Sequence, residues 1–150
     1  MDSKGGCQPP FLGLGSGLEI ATIWPMNHRI ALAWAGVLGA SGVVLGSLGA
    51  HPLKAQLDAA GTREAWQTAS TYQLLHAAAL LGLAGWMRDP SPGRCAAWAV
   101  RLWVLGTLLF SGSIYCLALG VHGLGIVTPL GGLALIAGWV LAACAALPRK

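Results

Sequence analysis

Apolar residues come in four long runs along the chain, at 30–49, 69–87, 102–121 and 124–147, separated by short polar stretches. A helix rises 1.5 Å per residue, so roughly 20 residues cross a hydrocarbon core of about 30 Å. Three runs reach that length readily, and the second does so only if it starts near Ala69 rather than at Gln73. The pattern predicts four membrane helices. Between the first two, residues 51–71 hold Lys54, Asp58, Arg63, Glu64 and Trp66, with Leu53 and Leu57 one turn apart. A short interfacial helix, broken near Gly61, is expected there.

Within the third run a cluster of hydroxyls interrupts the apolar pattern, and Thr107, Ser111 and Tyr115 recur at i, i+4 and i+8. They share one helical face, which must look toward other helices because hydroxyls facing hydrocarbon lack partners. Counting at 1.5 Å per residue from the basic residues, His76 lies roughly 18 Å from Arg88, and Ser113 roughly 18 Å from Arg101. Tyr72 and Tyr115 come to roughly 24 and 21 Å, and His51 and Thr128 to roughly 31 to 33 Å. Polar residues of all four helices therefore gather in the half of the bilayer away from the termini. The candidate polar pocket is His51, Tyr72, Gln73, His76, Thr107, Ser111, Ser113, Tyr115 and Thr128.

His76 stands out there, as an ionisable group inside a membrane helix marks a site by default. Two roles stay open for it, a functional group or a neutral imidazole joining two helices, and Tyr72 and Gln73 carry the same pair. His51 precedes Pro52 and closes the first helix. Thr128 with Pro129 reads as an N-cap followed by a first-turn proline, opening the fourth.

Small residues predict how the helices approach. Gly39, Gly42, Gly46 and Gly49 line one side of the first run, Gly42 and Gly46 forming a GxxxG pair, and Gly131, Gly132 and Gly138 do the same in the fourth. Ala78 with Gly82 and Ala134 with Gly138 extend that logic. The expectation is close packing within the chain rather than a homodimer seam, and a tight bundle without room for a wide pore.

Composition supports the membrane reading. The 150 residues are 55% hydrophobic and 9% charged, with a mean hydropathy of +0.65, outside the range of soluble domains. The net charge of +4 raises nucleic acid as a partner, but the basic residues form no cluster and sit at the ends of apolar runs. They report orientation instead. Lys4, Arg29, Arg88, Arg94, Arg101, Arg149 and Lys150 fall on the side of the termini, and only Lys54 and Arg63 on the other, which places both termini in the cytoplasm. Trp86, Trp98 and Trp103 are expected as interfacial anchors near the inner face and Trp66 near the outer one, with Trp139 too deep for that role.

Chemistry is sparse. Cys7, Cys95, Cys116 and Cys144 lack metal-ligand spacing and read as free thiols. No nucleophile elbow, P-loop, dinucleotide fingerprint or haem motif is present, and no acidic residue lies within a span to orient a histidine. Catalytic residues, a metal and a cofactor are therefore not expected. Two histidines with at best Cys116 fall short of the ligands zinc uses. Residues 1–25 are Gly- and Pro-rich without a signal-peptide pattern and read as an extension, with Met26 the expected start.

The motifs Leu45-Gly46-Ser47-Leu48-Gly49-Ala50-His51, Trp66 with Thr68, Tyr72-Gln73 and His76, Gly106-Thr107 through Leu119, Thr128-Pro129-Leu130-Gly131-Gly132, and Ala137-Gly138-Trp139 resemble one family in the same order. It is the domain of unknown function 423 family, small YgdD-like and transmembrane protein 256-like membrane proteins. The resemblance covers the chain from about Met26 to Leu147. It implies a multi-pass protein, of the bacterial inner membrane in most members, with no established activity.

The fold expected is all-α, an integral membrane four-helix bundle with both termini cytoplasmic and a short interfacial helix between the first two spans. The function expected is that of a non-enzymatic accessory or assembly protein, with the lipid bilayer and a homo-oligomer or larger membrane complex as partners. The alternative is a ligand-binding or permeation protein that uses the polar pocket.

Overall fold

The computed structural model describes residues 27–88 and 93–147. Every regular element in them is a helix. They are α1 (His28–Ala50), α2 (Lys54–Ala60), α3 (Arg63–Trp86), α4 (Arg94–Ala118) and α5 (Val127–Ala145). Residues 1–26, which include the expected extension and start, and Cys7 among them, lie outside the described residues.

Local chemistry sets the ends. The Asn27 side chain accepts from Ile30 N at 3.0 Å and caps α1. Pro52 stops it one residue past its C-cap, His51. Gly61, at φ 66°, ends α2 in a Schellman turn, with Gly61 N–H donating to Asp58 and Thr62 N–H to the Leu57 carbonyl. Gly120, at φ 89°, closes α4 in the same way, with Val121 N–H reaching the Cys116 carbonyl.

Three of the helices, α1, α4 and α5, are long and apolar enough to cross a membrane by length and composition. Helix α3 is as long, at 24 residues, but its first turns carry Arg63, Glu64, Gln67 and Thr68. The expected start near Ala69 is therefore corrected to Arg63, because polar opening turns extend a helix without extending its apolar signal. Helix α5 begins at Val127 with Ile126 at its cap, so Thr128 lies inside the helix and is not its N-cap.

Packing follows the order α1 on α3, α3 on α4, and α4 on α5, with α2 resting against α3 and α1. Two apolar clusters lie along it. One joins Leu38, Leu80, Met87, Val100, Trp103 and Leu135 across α1, α3, α4 and α5. The other joins Leu57, Trp66, Ala69, Tyr115 and Ala118 beneath α2. Along α3 and α4, buried polar residues occupy the positions between the clusters, Ser70, Gln73 and His76 on one and Thr107 and Ser111 on the other. The outer surface stays apolar, with Val43, Leu75, Leu81, Leu105, Leu133 and Ile136 all exposed.

Glycines set the spacing. A Cβ at Gly131 would fall on the Phe110 backbone, and one at Gly106 would lie 2.7 Å from Leu135 Cδ2, so α4 and α5 run in near contact. Gly42 seats Leu74, and Gly39 and Gly46 face Ala77 and Ser70, all on α3. Gly132 lies against the Phe110 ring. Gly82 has open space beside it and Ala78 is exposed, so that pair does not join helices.

The tryptophans divide. Trp86 and Trp98 are exposed, at the end of α3 and in the first turns of α4. Trp66 and Trp103 are 2% exposed and pack on Gly49 and Gly138, which corrects their expected role as interfacial anchors. A tryptophan near a helix end fits a headgroup belt by position alone, and only a facing glycine reveals a packed one.

Candidate functional site

Gln73 is the polar centre of the α1, α3 and α4 assembly. Its Nε2 donates to the Leu38 carbonyl at 3.0 Å and to Ser41 Oγ at 2.7 Å, while its Oε1 accepts from the Tyr115 hydroxyl at 3.1 Å. A carbonyl accepts only, which fixes the orientation of the amide. One side chain thus ties three helices. Ser111 adds a second tie, donating to the Ala69 carbonyl at 2.8 Å. Trp66 Nε1 donates to the Leu45 carbonyl at 2.8 Å, and its ring lies 4.6 Å from that of Tyr115. Thr62 closes the end of the assembly by donating to the Ala118 carbonyl at 3.1 Å.

His76 faces elsewhere, toward α5. Its Nδ1 lies 2.8 Å from the Tyr72 carbonyl, and Trp139 Nε1 donates to its Nε2 at 3.2 Å. A carbonyl cannot donate, so the proton sits on Nδ1 and leaves Nε2 as the acceptor the indole needs. That tautomer is the neutral imidazole, with both nitrogens engaged. A further proton on Nε2 would set two N–H donors against each other.

The third joint pairs Ser113 with Thr128 at 2.7 Å and connects α4 to α5. The nine expected residues are therefore distributed. Gln73, Ser111 and Tyr115 meet between α3 and its neighbours α1 and α4. Tyr72 and His76 meet Trp139 and Phe110, the Tyr72 ring lying 5.0 Å from Phe110 and 6.2 Å from His76. His51 serves α1 through its backbone, donating N–H to the Ser47 carbonyl, while its side chain is exposed. Thr107 is 2% exposed, and its hydroxyl has no hydrogen-bond partner among the described residues.

Sequence reasoning missed Ser41, Thr62 and Trp139 as partners. Trp139 carried a signal, since an indole too deep for the headgroup belt needs an acceptor inside the protein. Beside it lies an open groove of about 450 Å³, lined by Tyr72, His76, Phe110, Ile136 and Trp139 among others. Among the described residues no three His, Cys, Asp or Glu side chains are grouped to hold a metal ion, and Cys95, Cys116 and Cys144 are free thiols.

Comparison with known proteins bears on this arrangement. The family described as "Protein of unknown function (DUF423)" matches residues 45–132. The UPF0382 inner membrane protein YgdD of Escherichia coli is 41% identical over 131 residues, covering 83% of this chain and 95% of that protein. The chain belongs to this family. A UPF0382 membrane protein of Schizosaccharomyces pombe is 34% identical and covers 70% of the chain and 91% of its own length, and one of Staphylococcus saprophyticus is 34% identical with 70% and 89% covered. No solved structure matches the chain. With its apolar helices, this DUF423 member is a multi-pass protein of the bacterial inner (plasma) membrane. The matched stretch contains Trp66, Gln73, His76, Ser111, Ser113, Tyr115 and Thr128, and Trp139 lies beyond it.

Proposed function

We propose that the protein is a four-span bundle with both termini in the cytoplasm, working without catalysis as an accessory or assembly protein. Its partners are the lipid bilayer and either further copies of itself or a larger membrane complex. One observation carries this reading. Gln73, His76, Ser111, Ser113, Tyr115 and Thr128 all bond to groups within the chain, so the polar core joins helices and leaves no reactive constellation.

Helix α3 counts as the fourth span because its polar side chains Ser70, Gln73 and His76 are buried while Leu75 and Leu81 are exposed, the arrangement lipid requires. The basic residues orient the bundle, since Arg29, Arg88, Arg94 and Arg101 share the side of the termini. Internal pairing also supports helix joining over permeation, because a conducted proton or solute needs groups free to exchange partners.

Single cysteines replacing Asp58 and Arg94 test the topology, and opposite sidedness toward an impermeant reagent is expected. Purification in mild detergent tests the role. A stoichiometric partner or a homo-oligomer is expected, and a clean monomer, with other membrane complexes at normal levels in a deletion strain, overturns it.

A further inference from the structure

Helices α3 and α5 flank α4, and the groove between them, about 450 Å³, falls within the roughly 300–1,000 Å³ of small-molecule sites. Its sides are aromatic, with the Tyr72 ring 5.0 Å from Phe110 and the Trp139 ring 6.0 Å from His76. Thr71 and Tyr72 belong to its lining, and neither hydroxyl makes a hydrogen bond to another described residue. In hydrocarbon such donors call for an acceptor. No Lys, Arg, Asp or Glu lines the groove, so its charge suits neither a phosphate head group nor a cation.

We propose that this groove binds a membrane-dissolved amphiphile with a flat, uncharged head group that accepts hydrogen bonds, the chemistry of an isoprenoid quinone. The ring lies among Tyr72, Phe110 and Trp139, and a ring carbonyl accepts from the Thr71 or Tyr72 hydroxyl. The tail leaves sideways into the bilayer past Leu75 and Ile136, which are 54% and 62% exposed. The site rests on α3 being a span, and it adds a ligand class to a bundle whose core bonds are internal.

Photolabelling tests it. The full chain in phosphatidylcholine proteoliposomes is labelled with an azido-quinone and competed with decylubiquinone. Saturable labelling of the α3 or α5 groove peptides is expected, removed by decylubiquinone and unchanged by excess phosphatidylglycerol. Gly132→Leu fills the groove, and it should weaken labelling about tenfold or more with the melting temperature retained. Should Gly132→Leu fail to fold, Ile136→Trp on the exposed wall carries the same expectation. Labelling that never saturates, that persists in the folded filled variant, or that phosphatidylglycerol abolishes overturns the proposal. Cysteine labelling at Asp58 and Arg94 in the same vesicles separates the two readings. Opposite sidedness without saturable labelling sinks the groove alone, and equal sidedness sinks the four-span reading.

Discussion

Trp66 on Gly49 and Trp103 on Gly138 are one kind of joint made twice, between α1 and α3 and between α4 and α5. At both, the indole lies where a glycine Cβ would be. They differ in a single bond. Trp66 Nε1 donates to the carbonyl of Leu45, four residues before its glycine, whereas Trp103 Nε1 is buried with no hydrogen-bond partner among the described residues. Both indoles also meet rings, Trp66 that of Tyr115 at 4.6 Å and Trp103 those of Trp139 at 4.6 Å and His76 at 6.3 Å. The pair shows that close fit on a glycine suffices to place a buried indole. A hydrogen bond inside a membrane protein adds only about 0.6 kcal/mol on average, so shape carries such joints.

Substitutions can break the comparison at several strengths, read as unfolding free energy in detergent or bicelles. The largest loss is expected at Gly131→Ala, where the new Cβ meets the Phe110 backbone, which cannot swing aside as an indole can. About 3 kcal/mol or more is expected, with α4 and α5 forced apart. Gly49→Ala and Gly138→Ala come next, at about 1–3 kcal/mol each, since an indole must move. Gly49→Ala should cost more because it also displaces the bond to Leu45. Equal losses would show that bond to be worthless.

Trp66→Phe should then cost about 1 kcal/mol more than Trp103→Phe, which removes no bond and relieves an unpaired buried N–H. A double-mutant comparison in which Trp103→Phe is the costlier change would reverse the reading of the two joints. The smallest effect is expected at Gly82→Ala, which has open space beside it and should leave stability unchanged or raise it by up to about 1 kcal/mol. A large loss there would mean that this face is covered.

The spacing of Thr107, Ser111 and Tyr115 read correctly as an inward face, and all three are buried. The depth count carried less, because His76 and Ser113, at similar depth by that count, bond to different partners, Trp139 and Thr128. Rise per residue gives height along the bilayer normal but not direction around the helix. Ser113 stands two residues from Ser111 and so points roughly 200° away from it, toward Thr128 on α5 rather than toward α3. The length of α3 was hidden for a related reason, since turns rich in Arg63, Glu64 and Gln67 carry no apolar period to count. Ser41 was invisible because a serine among the glycines of α1 reads as spacing.

What the amino-acid sequence determined is that the chain is helical, that it lives in a membrane, and that Gln73, His76 and the hydroxyl residues Thr107, Ser111 and Tyr115 turn inward. These follow from hydrophobic run length and a 3.6-residue period, both properties of one helix at a time. Which helix stands opposite each face was decided only when the chain packed. Glycines set how closely α1 meets α3 and α4 meets α5, and that contact then divided one expected pocket into three separate joints.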